Sequence, residues 1–228
     1  MDKLEFINHS GIVITQDGKS IAVDPWVEGN VFNNSWSLLT KTPENSINTL
    51  KESDFIWFSH EHPDHFNPPN IPLFGKNKNF IFQKTKDKRV VNFLRKYSNN
   101  IFELKSGENF KISKNFSIEV YPFQDLDSYC VIKAGNKTIL NINDCQIKSE
   151  GELNEIKRKI GAIDLLMAQF SYAIGNTNRN EKALREKNAK EILENLNRII
   201  FSLKPEFFLP FASFSFFSHK ENFYLNDS

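Results

Sequence analysis

Apolar and polar residues alternate almost from the start of the chain. LEFINH, IVITQ and SIAVD, separated by Gly11 and the Asp17-Gly18 pair, predict a meander of short strands over the first 25 residues. After Asp24-Pro25 the alternation gives way to WVEGNVFNNSWSLLTKTP, an aromatic, Asn-rich stretch that predicts a long loop of the sort that carries function. Residues 43 to 51 predict a short helix. FIWFS, residues 55 to 59, is a continuous apolar run of strand length, consistent with a strand buried on both faces, and it runs directly into HEHPDHF.

The rest of the chain repeats this order. Residues 80 to 82 predict a strand and 86 to 97 a helix. Residues 101 to 142 return to strands, in IFEL, around FSIEVYPF, and in SYCVIKAGNKTILNIND with a Gly135-Asn136 hairpin turn. Residues 152 to 160 read as helix and IDLLMAQF, 163 to 170, as another buried strand, followed by a polar, Asn-rich loop. Over 181 to 203, Leu184, Ile192, Leu193, Leu196, Ile200 and Leu203 recur at helical spacing, which predicts an amphipathic helix packed on a sheet and stopped by Pro205. FFLPFASF predicts a last strand. Two blocks of strands with helices after each imply an α/β fold, two sheets sandwiched between helices, in a single domain over residues 1–228. No internal repeat or linker interrupts it.

Composition narrows the chemistry. With 228 residues, 39% apolar and 25% charged, the chain can bury one sizeable core. Its 29 basic and 28 acidic residues give a formal charge of +1, so neither nucleic acid nor a membrane surface is expected as a partner and any recognition is local. Two cysteines exclude a disulfide scaffold, a four-cysteine zinc site and an iron–sulfur cluster held by this chain alone. No apolar leader follows Met1 and no run approaches the ~18 apolar residues of a membrane span, so a cytoplasmic location is expected.

The candidate chemistry sits after the 55 to 59 strand. Three of the five histidines, His60, His62 and His65, share one short window with Asp64. In an extended segment, side chains at i and i+2 point the same way, so His60 and His62 can grip one cation. Pro63 then turns the chain, aiming Asp64 and His65 at a second position. Imidazole and carboxylate suit zinc or iron, with manganese a further candidate, at one or two divalent ions per chain. The competing reading is a polar surface turn.

Ser-His-Glu-His-Pro-Asp-His resembles the HxHxDH motif of the metallo-β-lactamase fold, and further landmarks arrive in that family's order. Asp24 in IAVDPW matches an aspartate at an early strand end, Asp144 in ILNINDC the aspartate that usually bridges two metals, and His219 the last histidine. The resemblance implies an αββα sandwich, two mixed sheets flanked by helices, with metals at one edge. One departure stands out: the family usually supplies another histidine before the bridging aspartate, yet residues 66 to 218 contain none. Asp127 in YPFQDLDSY is the favoured substitute, with Asp125 and Gln124 in reserve, while an exposed turn explains the same aspartates equally well.

DPWVEGNVFNNSWSLL, LNINDCQ, AQFSYA and PFASFSFFSHKENFYLND look like the metallo-β-lactamase-like portion of CMP-N-acetylneuraminate hydroxylase and its bacterial relatives. Carried over residue by residue, this gives Asp24, His60, His62, Asp64, His65, Asp127, Asp144 and His219. The resemblance implies oxygen chemistry fed by a Rieske centre. This chain has no paired Cys-x-His and Cys-x-x-His segments, so a separate electron donor would be required. A hydrolase needs only the metal.

The leading expectation is therefore a hydrolase acting on a small phosphorylated or nucleotide-sugar-like substrate, with Asp64 and His219 catalytic as well as ligating. An iron-dependent oxygenase component is the alternative, and a metal-stabilised binding protein without turnover the third. His9, Trp26, Asn222 and Tyr224 are the candidate substrate contacts, although His9 suits packing equally well. Trp26, Phe32 and Trp36 suit core lids better than stacking platforms. The basic stretch from 76 to 96 reads as a solvated face, and Cys145 as a structural thiol.

Overall fold

Ile12 and Ile14 point to one face of their strand and Val13 to the other, and all three are buried, so the sheet they belong to is covered on both sides. The computed structural model describes residues 1–172 and 175–227. The predicted Asn-rich loop and the phrase AQFSYA run into residues 173 and 174, which lie outside the described residues, as does residue 228.

The meander forms β1 (Lys3–Asn8), β2 (Gly11–Gln16) and β3 (Lys19–Val23), paired antiparallel. The long loop that follows contains an unforeseen short strand, β4 (Trp36–Leu38), before helix α1 (Glu44–Glu52). The apolar run becomes β5 (Phe55–Trp57), parallel to β3. Next come β6 (Asn79–Gln83), helix α2 (Arg89–Leu94), shorter than predicted, and β7 (Ile101–Leu104), which complete a six-stranded sheet. A turn of 3-10 helix at Pro68–Phe74, with three prolines, packs beside α1.

The second sheet also has six strands. It holds β8 (Asn109–Ser113), β9 (Phe116–Phe123), β10 (Asp127–Ala134) and β11 (Lys137–Asn143) as an antiparallel meander. Helix α3 (Glu150–Ile160), opened by a Ser149/Glu152 capping box, leads to β12 (Leu165–Gln169). Helix α4 (Lys182–Leu203) then leads to β13 (Phe207–Phe211), and both strands are parallel to β11. The predicted last strand is split: residues 212 to 214 leave the sheet, and β14 (Ser215–Phe217) pairs with β4 instead.

Inner-face residues of the two sheets, Ile12, Ile14, Val23 and Trp57 against Ile118, Val120, Cys130 and Ile132, make the central core. The outer face of the first sheet packs on α1 and α2 through Leu50, Val91 and Leu94. That of the second packs on α3 and α4 through Leu153, Ile156, Leu196 and Ile199. The result is the four-layered αββα sandwich. On α4 the outcome differs from the spacing argument, because Leu184 and Leu193 are exposed while Arg185 is buried. Arg185 donates to the Asn178 carbonyl and lies over the Tyr224 ring, so the first turns of α4 pack on chain segments and not on a sheet.

Candidate metal centre

Five strand ends meet at one edge of the sandwich. His9 follows β1, Asp24 follows β3, residues 59 to 65 follow β5, Asp127 opens β10 and Asp144 follows β11. His9, Asp24 and Asn143 have φ of 43°, 39° and 42°, so the backbone turns sharply just where each strand delivers its side chain. A non-glycine residue there costs about 1–3 kcal/mol, roughly what one fully buried large apolar side chain contributes, and the core between the sheets holds many of those.

Asp24, completely buried, organises the site. Its Oδ1 accepts the Ser59 backbone N–H at 2.7 Å, and its Oδ2 accepts from Ser59 Oγ at 2.6 Å, His65 Nδ1 at 2.8 Å and Asn143 Nδ2 at 3.0 Å. A carboxylate only accepts, so His65 carries its hydrogen on Nδ1 and its Nε2 faces the centre. Ser59 has a single hydroxyl hydrogen, which goes to Asp24; its oxygen, 2.9 Å from His60 Nδ1, must therefore accept from that ring. His60 Nε2 is thereby left free as well. One buried carboxylate sets the tautomers of two candidate ligands, as partners behind metal-binding histidines do. Neither Ser59 nor Asn143 stood out in the sequence, although each directly precedes a candidate ligand.

Donor atoms converge in overlapping groups: His60, His62 and Asp127; His60, His65 and Asp144; His9, Asp64 and His65. His60 Nε2 lies 2.9 Å from His62 Nδ1 and 3.7 Å from Asp127 Oδ1, while His65 Nε2 lies 3.2 Å from Asp144 Oδ2 and 3.7 Å from Asp64 Oδ2. Two ligands on a tetrahedral ion with ~2.0–2.1 Å bonds sit about 3.3 Å apart, within this spread. His65 Nε2, Asp64 Oδ1, Asp127 Oδ1 and Asp144 Oδ1 are all buried without a hydrogen-bond partner. Buried polar atoms without partners are costly, and cations held at two neighbouring positions would satisfy all four. The residues fit divalent metal, with His60, His62 and Asp127 at an outer position, Asp64 and His65 at an inner one, and Asp144 between them.

Electrostatics agree. Burial, reinforced by His65 and His62, holds the His60 pKa well below its usual value, so this ring is neutral and ready to ligate. Burial alone would lower His65, but the Asp144 and Asp64 carboxylates outweigh it and push His65 well above the ordinary range. Burial also raises Asp127, helped by Asp144. A histidine with a raised pKa must lose its proton to bind metal. Zinc uptake at neutral pH is therefore expected to release protons, and apparent affinity to rise with pH until the metal-free His65 deprotonates. In the metal-free protein the same proton stabilises the fold fully below about pH 6.5, and this contribution is lost as pH rises through the raised value. Titration calorimetry in buffers of different ionisation enthalpy measures the release; identical heats in all of them would contradict it.

The donors lie at the floor of a cleft of about 1100 Å³ lined by His62, Asp64, Asp127 and Asp144. Its walls carry Gln146, Gln169, Asn188, Asn195, Asn222 and Lys148, with Phe32, Trp36 and Phe217 along one side. Asn222, a candidate substrate contact, is thus in the wall, its Nδ2 donating to the Ser35 carbonyl. A more apolar hollow of about 670 Å³ shares Trp36 and Phe217 but none of the metal donors.

Other expected residues are not brought in. His219 is exposed, its Nδ1 accepting the Glu221 N–H, and it belongs to none of the donor groups. The pairing of β14 with β4, continued by the Ser218 N–H to the Ser35 carbonyl, holds this segment on the aromatic loop instead. Trp26 is fully buried against the edge of His9, its Nε1 shared between the Glu28 and Gly29 carbonyls, and it is a core residue as the packing alternative had it. Tyr224 donates to the Thr177 carbonyl and does not line the cleft. Asp125 and Gln124 face a different hollow beside Lys84 and Lys86, leaving Asp127 as the aspartate at the centre. His9 is buried beneath Asp64 and not presented to the cleft. Cys145 packs in the core under α3 and α4, and burial pushes its thiol well above the usual range.

Comparison with known proteins agrees with this architecture. A family model described as a β-lactamase superfamily domain matches residues 3–200. Cytidine monophosphate-N-acetylneuraminic acid hydroxylase of Danio rerio is 24% identical over 245 residues, covering 99% of this chain and 40% of its own length. The human protein, named as an inactive form of that hydroxylase, is 24% identical over 246 residues, covering 99% of this chain and 48% of its own. The chain therefore spans less than half the length of these relatives. Among solved structures, an isothiocyanate hydrolase from Delia radicum gut bacteria aligns with a TM-score of 0.69 at 14% identity, over 93% of this chain and 85% of its own. CmlA, a diiron β-hydroxylase from Streptomyces venezuelae, aligns at 0.61 and 15%, over 92% and 44%. At such identities these two likenesses speak for the fold alone.

Proposed function

This chain belongs to the metallo-β-lactamase superfamily, and we propose that it is a metal-dependent hydrolase of a small, sugar-like substrate carrying an anionic group. The observation that carries this reading is the open, polar approach to the donors. His62 is exposed, and the Asp127 and Asp144 side chains keep 21% and 22% of their exposure, so water reaches the centre directly. That suits a reaction consuming water, whereas reactive oxidising intermediates are better kept dry.

When bound, divalent ions would lower the pKa of coordinated water towards ~7 and polarise the substrate's electrophile. The chain's own groups do the rest. Side-chain amides of Gln146, Gln169, Asn188, Asn195 and Asn222 both donate and accept, which suits sugar hydroxyls, and the Phe32, Trp36 and Phe217 side offers an apolar ring face. Among the described wall residues Lys148 is the one basic group besides His62, and Glu191 is acidic, so a single anionic group fits better than a highly charged chain. Asp64, at the cleft floor, would hold metal through the Oδ1 that has no protein partner.

A second reading, an iron-dependent hydroxylase component with an external electron donor, is favoured by the carboxylate of Asp127 where the family usually has imidazole. Three carboxylates to three imidazoles form a harder donor set that suits iron or manganese better than zinc. The hydroxylase relatives point the same way. The two readings separate in one experiment on protein loaded with zinc or ferrous iron and offered phosphoester, glycoside and lactone substrates with and without oxygen. The hydrolase predicts turnover with zinc that is unchanged under anaerobic conditions. Turnover that requires iron, oxygen and a reductant would replace it with the hydroxylase.

A further inference from the structure

His9, Asp64 and His65 bring donor atoms close enough to hold an ion, yet the backbone around His9 excludes it from that role. The Phe214 N–H donates to His9 Nδ1 at 3.1 Å, and the Ala212 N–H donates to the His9 carbonyl at 3.1 Å. A peptide N–H always carries its hydrogen, so Nδ1 must be the unprotonated nitrogen and the neutral ring must bear its hydrogen on Nε2. A ring in that state has no lone pair on Nε2 to offer a metal. The nearest carboxylate oxygen to this nitrogen is Asp64 Oδ2 at 3.4 Å, and the hydrogen bond between them is not closed in this structure.

We propose that His9 is a positioning residue that donates from Nε2 to Asp64 and presents this carboxylate to the inner metal position, and is not itself a metal ligand. The arrangement differs from that of His60 and His65. In those rings a hydrogen on Nδ1 is held by oxygen acceptors and Nε2 is freed, whereas in His9 a donor at Nδ1 forces the opposite tautomer. His9 is 1% exposed, packed against Trp26 on one side and His65 on the other, so the ring cannot turn Nδ1 away from the Phe214 N–H without disturbing the core. Its backbone is held in the left-handed region, with φ of 43°, and its N–H is accepted by Asn8 Oδ1. Strain of this kind persists where the surroundings over-determine it. The inner position is then ligated by one imidazole and two carboxylates, and Asp64 is oriented through His9 by residues 212 to 214. The C-terminal segment thus contributes to the centre through its backbone, although His219 does not reach it.

This inference rests on the donor cluster being a metal centre and is independent of which reaction the centre serves. It is tested on the wild-type chain by long-range ¹H–¹⁵N spectra of the histidine rings, recorded without metal and after one and two equivalents of zinc. His60, His62 and His65 are expected to show metal-bound nitrogens, while His9 keeps a protonated Nε2 throughout. Loss of that hydrogen with a metal-bound shift at His9 Nε2 would overturn the proposal and leave the metal centre standing. No response from any histidine would remove both.

Two isosteric variants supply a second readout. In His9→Asn the amide oxygen can still accept from Phe214, but the donor to Asp64 is gone; in His9→Gln an amide nitrogen can reach the Nε2 position. Competition against a zinc chelator is expected to show the more weakly held ion loosened about 10–100-fold in His9→Asn and restored to within about threefold in His9→Gln. Equal loss in both variants, or none in His9→Asn, counts against the positioning role.

Discussion

Replacing Asp144 with alanine is expected to leave a folded chain that retains neither ion. Asp144 shares one donor group with His60, which belongs to the outer position, and His65, which belongs to the inner one, and its Oδ1 is buried without a partner. Removing it takes a shared charged ligand from both positions and leaves His60, His62 and Asp127 at the outer one and only Asp64 and His65 at the inner one, in a more open floor. The fold should tolerate the change. The side chain lies at the cleft surface, 22% exposed, and its closest charged neighbour, His65, keeps the Asp24 carboxylate on its other nitrogen. A stability change within about 1–2 kcal/mol is expected, the scale of an ordinary substitution outside a core. Metal content after dialysis and thermal unfolding of the metal-free protein check the two halves separately. Retention of one full equivalent would show that Asp144 serves a single ion, and retention of two would take it out of the ligand set.

Asp24→Ala should have the opposite balance, costing stability first and metal binding as a consequence. It strands the Ser59 N–H and hydroxyl, His65 Nδ1 and Asn143 Nδ2, all buried, and each unsatisfied group costs about 1–3 kcal/mol before relaxation. A net loss of about 3–5 kcal/mol is expected, as when one partner of a buried charged pair is removed. For a chain of this length that lowers Tm by on the order of 10 °C, and it consumes a large part of a typical 5–15 kcal/mol of stability. Asp24→Asn separates packing from electrostatics. It keeps the volume but presents at most one accepting oxygen to four donors, so it no longer sets the tautomers of both His60 and His65. Metal affinity should fall about 10–100-fold while the fold survives. Chelator competition on this variant gives the measurement, and wild-type affinity would mean that the rings are oriented by something other than Asp24.

Local chemistry was the part of the centre legible in the sequence. His60, His62, Asp64 and His65 lie within six positions at a strand end, and their spacing alone predicts a two-position metal grip; the fold brings their donor atoms into overlapping groups. Asp127 could be nominated only through the resemblance, which implies a ligand where residues 66 to 218 hold no imidazole, and the same argument admitted Asp125, which tertiary structure turns to another hollow. Ser59 and Asn143 gave no signal, because a serine or asparagine beside a ligand looks like any turn residue until its partner Asp24 arrives from a different strand.

The chain's alternation and apolar runs determined by themselves that it would build two sheets between helices, with a histidine-rich turn directly after a buried strand. Those patterns depend only on side-chain period and local spacing, which the chain carries wherever it goes. Tertiary structure alone decided which distant groups meet there. His219 fell away because β14 pairs with β4 some 180 positions earlier, a backbone ladder that no side-chain pattern announces. His9 entered with its hydrogen on Nε2 because the Phe214 N–H, 205 positions away, faces Nδ1. A protonation state is set by the partner that closes the hydrogen bond, and that partner exists only once the chain has folded.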